Sequence, residues 1–419
     1  MAQGLDADVI ISGAGIAGAT LALALNSGGL RPVLIDPLPF EDQIAPEFDG
    51  RASAIAFSCF RQWRALGAGD LIEPHAQRIE QILVTDGRRP GPAPGLQLST
   101  FLRFDAAEIA DRVEGEPLGY MVENRHIRAG LAQAVRAAGI EVLAPARVEG
   151  VEAGPGSATA RLADGRTLAA RLLVGSDGRA STVRREAGIG VVGWPYGDVG
   201  VVATVALDRP HGGVAHEHFM PSGPFAILPL THDRASLVWT EQAARGRALA
   251  GVREEAFHAH LNRRFGDFLG EARLVGPRFV YPLALELAEA MTAPRIALLG
   301  DAAHGVHPIA GQGLNLGLKD CAALAEVLVD AAALGEDIGA ETVLERYARW
   351  RRSDNVGLAV ATDAFNRLFS SDLPPLRLAR DAGMALVNRI GPARRFFMRE
   401  AGGAVGDLPR LLRGEALAP

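Results

Sequence analysis

The apolar residues of this chain gather in short runs that end in glycine or an acidic residue, and such runs predict buried strands. The first run, Val9-Ile-Ile, precedes a helical segment at Ala19–Asn26 and a second run at Val33-Leu-Ile. Four later runs are Gln81-Ile-Leu-Val-Thr, Glu141-Val-Leu, Arg171-Leu-Leu-Val-Gly and Ile296-Ala-Leu-Leu-Gly. Strands that alternate with helices in this way favour a parallel sheet of the α/β class.

Helical spacing of apolar residues predicts two more helices, one within residues 49–68 and one over Asn124–Ala138. Their buried faces would carry Ile55, Phe60, Trp63 and Leu66 in the first helix, and Ile127, Leu131 and Val135 in the second. Residues 340–369 also have a mainly helical pattern.

Residues 185–285 follow a different pattern, with short apolar runs separated by proline and glycine turns. Strands are predicted at Val199–Leu207, Phe225–Pro229, Ala235–Thr240 and Pro277–Tyr281. One helix is predicted at about 253–265. Strands in this arrangement indicate a second domain built on a mixed sheet.

Composition narrows the classes of function. The chain has 419 residues, a net charge of −6 and two cysteines, Cys59 and Cys321, which are far apart in sequence. The net charge gives no support for nucleic-acid binding, and no metal-ligand spacing is present, so no metal site is predicted. Without a secretory signal or an apolar span, the sequence predicts a reduced, cytoplasmic protein.

The first chemical motif is Gly13-Ala-Gly15-Ile-Ala17-Gly18, which lies between a predicted strand and a predicted helix. Glycine allows the tight turn, the close approach of a pyrophosphate and close helix–strand packing, while the helix N-terminus favours negative charge. Asp36 closes the next strand at the separation suited to a ribose diol. The motif therefore predicts dinucleotide binding, but it does not separate NAD from FAD.

Two further loops suit the same molecule. Leu172-Leu-Val-Gly-Ser-Asp177-Gly178 is a strand that ends in an acid and a glycine. Gly300-Asp301-Ala-Ala-His304 follows another apolar run and leads into Pro308-Ile-Ala-Gly311-Gln312-Gly313-Leu314-Asn315 at the start of a predicted helix. An acid after a strand and a glycine-rich helix start suit a cofactor with hydroxyl groups at one end and an electron-rich ring at the other.

In this order, the three motifs resemble those of the single-component FAD aromatic hydroxylases of the para-hydroxybenzoate hydroxylase type. The stretch from Gly300 to Asp320 is more similar still to the ubiquinone-biosynthesis hydroxylases. Other matching stretches are Asp49-Gly-Arg51-Ala-Ser-Ala-Ile, Tyr120-Met-Val-Glu-Asn-Arg125, Thr362–Phe369 and Arg394–Gly402. The resemblance covers nearly the whole chain.

The resemblance implies an α/β fold with a discontinuous Rossmann-like FAD-binding domain, an inserted mixed-sheet substrate domain and C-terminal helices. We expect the FAD-binding domain at 1–75, 105–184 and 286–340, the substrate domain at 76–104 and 185–285, and the helical region at 341–419. FAD is the expected cofactor. Its expected contacts are Gly13, Gly15, Ala17, Gly18, Asp36, Arg51, Arg125, Asp177, Gly178, Gly300, Asp301, Gly311, Gly313, Leu314 and Asn315.

The expected chemistry is centred on the flavin, through a C4a-hydroperoxide, and no catalytic side chain is predicted. The loop carrying Pro308, Gly311, Gln312 and Gly313 would face the flavin ring. Arg51 and Arg125 could instead form exposed salt bridges. His304 and His307 fit hydrogen bonding behind the site better than metal binding or direct catalysis. Candidates for the substrate wall are Phe219, Phe225, Leu228 and Pro229.

Three functions remain open. The favoured function is hydroxylation of a polyprenylated phenol on the route to ubiquinone; the others are hydroxylation of a small soluble aromatic and a flavin- or NAD-binding role without turnover. The hydroxylases need O2 and a reduced donor, either NAD(P)H or a redox protein. The basic, apolar segment Leu373–Arg399 is typical of a peripheral contact with the inner face of the plasma membrane or a partner complex, or of a helix packed on its own core.

Overall fold

The computed structural model describes residues 4–45, 49–86, 100–108, 115–220, 222–266, 268–306, 311–370, 402–403 and 406–417. Its architecture is mixed α/β, as predicted. The strands in the first half of the chain are β1 (Ala7–Ser12), β2 (Pro32–Ile35), β3 (Ala52–Ala56), β4 (Gln77–Ile79), β5 (Gln81–Asp86), β6 (Thr100–Asp105), β7 (Gly119–Glu123), β8 (Glu141–Leu143), β9 (Val148–Ala153), β10 (Ala158–Leu162) and β11 (Thr167–Gly175).

The strands in the second half are β12 (Val191–Leu207), β13 (Val214–Met220), β14 (Gly223–Leu230), β15 (Arg234–Gln242), β16 (Ala272–Ala288), β17 (Thr292–Ala293), β18 (Ile296–Leu298) and β19 (His304–Gly305). The helices are α1 (Ile16–Ser27), α2 (Phe40–Ile44), α3 (Phe57–Ala65), α4 (Gly69–Ile72), α5 (Asn124–Ala137), α6 (Thr182–Glu186), α7 (Ala243–Gly251), α8 (Glu254–Phe265), α9 (Gln312–Ala333) and α10 (Glu341–Ser370). Short 3-10 turns lie at Glu73–His75, Ala106–Glu108, Gly300–Ala302 and Arg410–Arg413. None of these helices is both long and apolar enough to cross a bilayer.

The first sheet has the strand order β17-β18-β11-β1-β2-β8. Strand β1 runs parallel to both β2 and β11, and β11 runs parallel to β18. The antiparallel hairpin of β9 and β10 continues from β11. Because parallel strands point the same way, the loops after β1, β2, β11 and β18 meet at one edge of this sheet.

Helices α1, α5 and α9 cover one face of the first sheet. Helix α1 is rich in alanine and leucine and is buried on nearly every side, because it packs between the sheet, α5 and α9. Close packing brings Gly28, just after α1, against Val329 of α9. The indole N–H of Trp63 donates to the hydroxyl oxygen of Thr20 at 3.0 Å, so α3 is also fixed to α1.

The large sheet has the order β19-β16-β12-β15-β14-β13-β5-β6. Its outer face packs against α7 and α8 through an apolar core. Its inner face packs instead on β3 and β7, which form a small sheet with β4. Strands β5 and β6 join strands from 191–288 in one sheet, which supports the proposed division that puts 76–104 and 185–285 in one domain.

Most of the predicted elements are confirmed, including the first βαβ unit and the helix from Asn124. One interpretation is wrong: Ile55 does not belong to the helix predicted within 49–68, because β3 occupies Ala52–Ala56 and pairs with β7 before α3 begins. Strand β13, the β9–β10 hairpin and α7 were not predicted from the sequence. The segment Leu373–Arg399 lies outside the described residues.

Candidate functional site

The loop after β1 depends on two glycines for its packing. Gly13 has a φ of +103°, and a Cβ there would lie 2.5 Å from the carbonyl oxygen of Ser176. A Cβ on Gly18 would lie 1.9 Å from the carbonyl oxygen of Gly13. Gly15 differs, since a Cβ there would meet nothing within 4 Å. The N-terminus of α1 therefore opens onto free space at Gly15.

Asp36 closes the side of this opening at the end of β2. Its carboxylate accepts hydrogen bonds from the backbone N–H of Ala14 at 2.7 Å and of Leu38 at 2.8 Å. Burial raises the pKa of Asp36, and these two bonds oppose the rise. A cleft of about 390 Å³ lies beside it, lined among others by Gly15 and Asp177. The cleft has the backbone donors and the acid expected of a dinucleotide site.

The loop after β11 is fixed to the loop after β1. The Ser176 hydroxyl lies 2.9 Å from the carbonyl oxygen of Ser12 and 2.8 Å from that of Gly13. The Asp177 carboxylate accepts from the Ser181 hydroxyl at 2.5 Å and from the Thr182 N–H at 2.8 Å, so it orders the start of α6. Gly178 follows with a φ of +79°.

The third loop meets the first two at the same edge. Gly300 has a φ of +57°, and a Cβ there would lie 3.6 Å from the Cβ of Ala17. A Cβ on Gly317 of α9 would lie 3.1 Å from the Gly300 Cα. Asp301 is half exposed, and its carboxylate lies 3.7 Å from the Arg179 Nε. The three motifs predicted to share one ligand therefore converge.

The start of α9 is anchored to β3 by Asn315. Its amide Nδ2 donates to the Ala54 carbonyl at 2.8 Å, and its Oδ1 accepts from the Ala56 N–H at 2.9 Å. Gly311 precedes the helix with a φ of +63°, and a Cβ there would lie 3.1 Å from the Ala54 Cβ. A Cβ on Gly313 would meet only the Val306 side chain, at 3.5 Å.

Four other residues of this segment were singled out by the sequence. Gln312 is the first residue of α9, and Leu314 packs in part against the main core. Pro308 and His307 lie outside the described residues. Their predicted positions beside the ligand therefore stay predictions.

A buried ionic cluster lies behind the Gly300 loop. The Asp320 carboxylate is fully buried and accepts from His304 Nε2 at 2.5 Å, Arg351 Nε at 2.8 Å and the Gly300 N–H at 3.2 Å. Burial alone would raise the pKa of Asp320, but His304 and Arg351 hold it below its usual value. The cluster ties α10, α9 and the Gly300 loop together. His304 lies behind the loop, within this cluster.

Asp49 is the centre of a second polar cluster. Its carboxylate accepts from Arg51 Nε at 2.9 Å, Asn124 Nδ2 at 3.0 Å, Arg128 Nη2 at 2.8 Å and the Tyr281 hydroxyl at 3.3 Å. Burial alone would raise its pKa, but the bonds and charge from Arg51, with the other donors, hold it well below the usual range. The cluster joins the loop before β3 to α5 and to the large sheet.

Arg51 and Arg125 both form the ion pairs that were the alternative to cofactor contact. The Arg51 guanidinium pairs with Asp49 and lies 4.9 Å from the centre of the Tyr281 ring. Arg125 Nη2 donates to Glu123 at 3.2 Å, while its Nε is buried and has no hydrogen-bond partner among the described residues. A buried donor left over in this way is available to an acceptor from outside the chain. Cofactor contact by either arginine stays a prediction.

The four candidates for the substrate wall divide between the faces of the large sheet. Phe219 packs with Val84 on the inner face, and Leu228 packs beside β3. Phe225 is wrong as a wall residue, because it is fully buried in the outer-face core with its ring 5.6 Å from that of Trp239. Strand alternation places Pro229 on the same face as Phe225.

Sequence reasoning missed Asp49, Asn124, Arg128, Asp320 and Arg351 as parts of the site. Asp49 and Asp320 stood within the motifs, but their partners lie up to 232 residues away, so no local spacing marked them. Among the described residues, no group of three or more His, Cys, Asp or Glu side chains could hold a metal ion. Cys59 and Cys321 are both free and buried, and both belong to the main core.

Comparison with known proteins shows what this chain resembles. Residues 6–360 match the FAD binding domain family. The chain is 47% identical to the ubiquinone hydroxylase UbiL of Rhodospirillum rubrum, covering 98% of this chain and 94% of that protein. It is 34% identical to the 3-demethoxyubiquinol 3-hydroxylase of Escherichia coli, covering 94% and 98%. The crystal structure of p-nitrophenol 4-monooxygenase PnpA from Pseudomonas putida has the same fold, with a TM-score of 0.77, 20% identity and coverage of 95% and 98%.

The glycines of the first loop separate packing from ligand contact. Gly18→Ala should destabilise the protein by about 1–3 kcal/mol, because its Cβ would collide with backbone. Gly15→Ala should leave the urea midpoint of the FAD-free protein nearly unchanged, yet weaken FAD binding about tenfold or more, because its Cβ would occupy the opening. Urea denaturation and flavin fluorescence titration measure the two effects. Full FAD affinity in Gly15→Ala would show that the cofactor lies elsewhere.

The two acids that contact Arg351 offer a matched pair. Asp320→Asn removes the buried charge opposite Arg351 and His304 and should cost about 3–5 kcal/mol of unfolding free energy. Asp354→Asn removes a partner that is 41% exposed and should cost about 1 kcal/mol or less. Urea denaturation of both variants tests the difference. Equal, small losses would contradict a supporting role for the Asp320 cluster.

Proposed function

This chain belongs to the FAD-dependent hydroxylase family of ubiquinone biosynthesis, and we propose that it hydroxylates the aromatic ring of a polyprenylated phenol or quinone precursor in that route. The observation that carries the proposal is the convergence of three loops at one sheet edge, where the start of α9 lies against β3 and β3 packs on the apolar inner face of the large sheet. The family match and the printed activities of the relatives support the same reaction class.

The residues present fit FAD. The opening at Gly15 lets a pyrophosphate approach the N–H groups at the start of α1. Asp36 lies where a ribose diol would bind, and Asp301 is half exposed at the meeting point of the loops. The buried, unpartnered Nε of Arg125 is a donor that a cofactor oxygen could use.

The remaining predicted contacts divide into two groups by what they would do. Gly13, Gly18, Gly178 and Gly300 shape the backbone around the cofactor, and Ala17 and Asp177 support that shape. Gly311, Gly313, Leu314 and Asn315, with Pro308 and Gln312, would border the flavin ring, and Arg51 would contact the cofactor from the loop before β3. FAD, when bound, supplies the electron transfer and oxygen activation that the hydroxylation needs.

The chain's own residues would position the ligands, stabilise negative charge beside them and keep water away from the substrate. The positive end of α9 favours negative charge near its first N–H groups. Asn315 fixes that end against β3, and the glycines at 311 and 313 keep side chains out of the space in front of it. Apolar residues of the inner face exclude water from the substrate, which limits unproductive side reactions.

Hydroxylation in this family requires O2 and a reduced electron donor. We propose NAD(P)H or a redox protein as the donor, and a peripheral contact with the inner face of the plasma membrane or with a ubiquinone-biosynthesis complex as the route to a lipid substrate. The basic composition of Leu373–Arg399 supports such a contact.

Asp301→Ala tests the cofactor role. The variant should lose most of its flavin, with affinity reduced about 10- to 100-fold, because a charged hydrogen-bond acceptor is removed. Its fold should persist, since the half-exposed Asp301 makes only a loose ion pair with Arg179. The measurement is the ratio of flavin to protein absorbance, with Asp164→Ala at an exposed turn as the control. Yellow Asp301→Ala protein with wild-type affinity would refute the role.

A deletion strain tests the substrate. Lipid extracts should contain an accumulated prenylphenol that lacks one ring hydroxyl, and mass spectrometry identifies it. Restoring the wild-type gene should remove the intermediate, whereas the Asp301→Ala gene should not. Normal ubiquinone content in a strain without a redundant enzyme would contradict the proposed function and favour a small soluble aromatic substrate.

A further inference from the structure

Glu217 is a carboxylate in an apolar row across the inner face of the large sheet. Register pairs β13 with β14 and β5, so Glu217 lies opposite Ala226 on one side and Val84 on the other. From Ala226 the row continues through Val238, Val202 and Phe279. From Val84 it continues to Leu102. Every other member of this row is apolar.

The neighbours of Glu217 along its own face are apolar as well. Ala215 and Phe219 lie two residues before and after it on β13, and both pack in apolar clusters. Glu217 is partly buried, and its carboxylate has no hydrogen-bond or ion-pair partner among the described residues. Burial raises its pKa to about 7. An acid in such a place costs folding free energy unless a ligand uses it.

Glu241 is a buried carboxylate of the same sheet that has hydrogen-bond partners within the fold. Glu241 lies on β15 and is also buried, but it accepts from Arg264 Nη2 at 3.3 Å and from the Trp239 indole N–H at 3.4 Å. The contrast singles out Glu217 as a carboxylate that the fold itself does not use.

A continuous set of contacts links Glu217 to the ring-facing loop. Gly311 lies against Ala54 of β3. Ala54 packs in the same apolar cluster as Ala215, two residues before Glu217. At the other end of the row, Phe279 lies against Gly50, next to the Asp49 cluster. The strand that carries Glu217 and the start of α9 therefore both pack against β3.

We propose that Glu217 accepts a hydrogen bond from a ring hydroxyl of the aromatic substrate and so selects phenols and orients the ring in front of the flavin. The inference rests on the proposed function. One strong polar contact among apolar walls fixes the orientation of a ligand, while Val84, Leu102 and Phe219 would contact its hydrocarbon parts. A site built around such a bond discriminates against analogues that lack the hydroxyl.

The test compares a short-chain prenylphenol with its O-methyl ether, both titrated into the FAD-loaded protein and followed by the flavin absorbance change. At pH 8, where Glu217 is mainly charged, wild-type protein should bind the phenol about 10- to 100-fold more tightly than the ether, as expected for a hydrogen bond to a charged group. Glu217→Leu should bind the two within about threefold of each other, because it gains no hydrogen bond from either. Glu217→Gln keeps a hydrogen-bond acceptor, so its ratio of phenol affinity to ether affinity should lie between those of the wild type and Glu217→Leu.

Two controls exclude a general effect on folding. Glu271→Gln, at an exposed position before β16, should behave as wild type. Glu217→Leu should melt no lower than wild type at pH 8. Burial raises the pKa of Glu217 from 4.5 to about 7, so its contribution to folding stability falls as pH rises through that interval and is unfavourable at pH 8. If Glu217→Leu does not fold, Glu217→Gln carries the comparison, and full wild-type discrimination in that variant overturns the inference.

The inference and the proposed function fail separately. Wild-type discrimination retained in Glu217→Leu, or equal binding of phenol and ether by the wild type, overturns the role of Glu217. Neither result alters the lipid profile of the deletion strain, which judges the proposed function. A loss of discrimination confined to the Glu217 variants supports the inference.

Discussion

Close contact between backbone segments at the carboxyl edge of the first sheet is the constraint on which the rest of the structure depends. Gly13 lies against Ser176, Gly18 against Gly13, and Gly300 against Gly317. A Cβ at Gly13 or Gly18 would collide with backbone, and a Cβ at Gly317 would lie 3.1 Å from the Gly300 Cα, because the loops share one small volume with α1 and α9. A ligand that spans this edge can therefore use backbone N–H groups from α1 and α9 at the same time.

Buried charges hold the outer parts of the site in place. The Asp320 cluster joins α10 to the Gly300 loop, and the Asp49 cluster joins Tyr281 of the large sheet to the loop before β3. Each cluster links a segment distant in sequence to the edge where the loops meet. Since a buried carboxylate is stable only with its full set of donors, both clusters restrict how far these segments can move apart.

Structural elements that depend on local sequence pattern could be predicted from the sequence. Strands that end in Asp36, Asp177 and Asp301 were recognised because apolar runs and punctuating residues lie next to each other. Strand β13 was missed because His216 and Glu217 interrupt its apolar pattern, and only its neighbours in the sheet stabilise it as a strand. Distant partners likewise define the Asp49 and Asp320 clusters.

The misassigned residue Ile55 has a similar explanation. The run from Ala52 to Phe57 suits a helix or a strand, and the apolar residues Phe60, Trp63 and Leu66 that follow it favoured the helix. In the folded chain, β7 pairs with β3, and the Asn315 side chain supplies two hydrogen bonds to its backbone. Tertiary contacts therefore decided between two local structures of similar propensity. For Phe225, the sequence identified a strand but could not tell which face each residue presents.

A crystal structure of the protein with FAD and a prenylphenol bound tests most directly whether the three loops bind one cofactor beside the substrate. One FAD should contact all three loops, with its pyrophosphate at Gly15, its ring beside Gly311–Asn315 and the phenol between that ring and the inner face of the large sheet. A cofactor held by a single loop, or a flavin ring turned away from the inner face, would contradict this shared binding site.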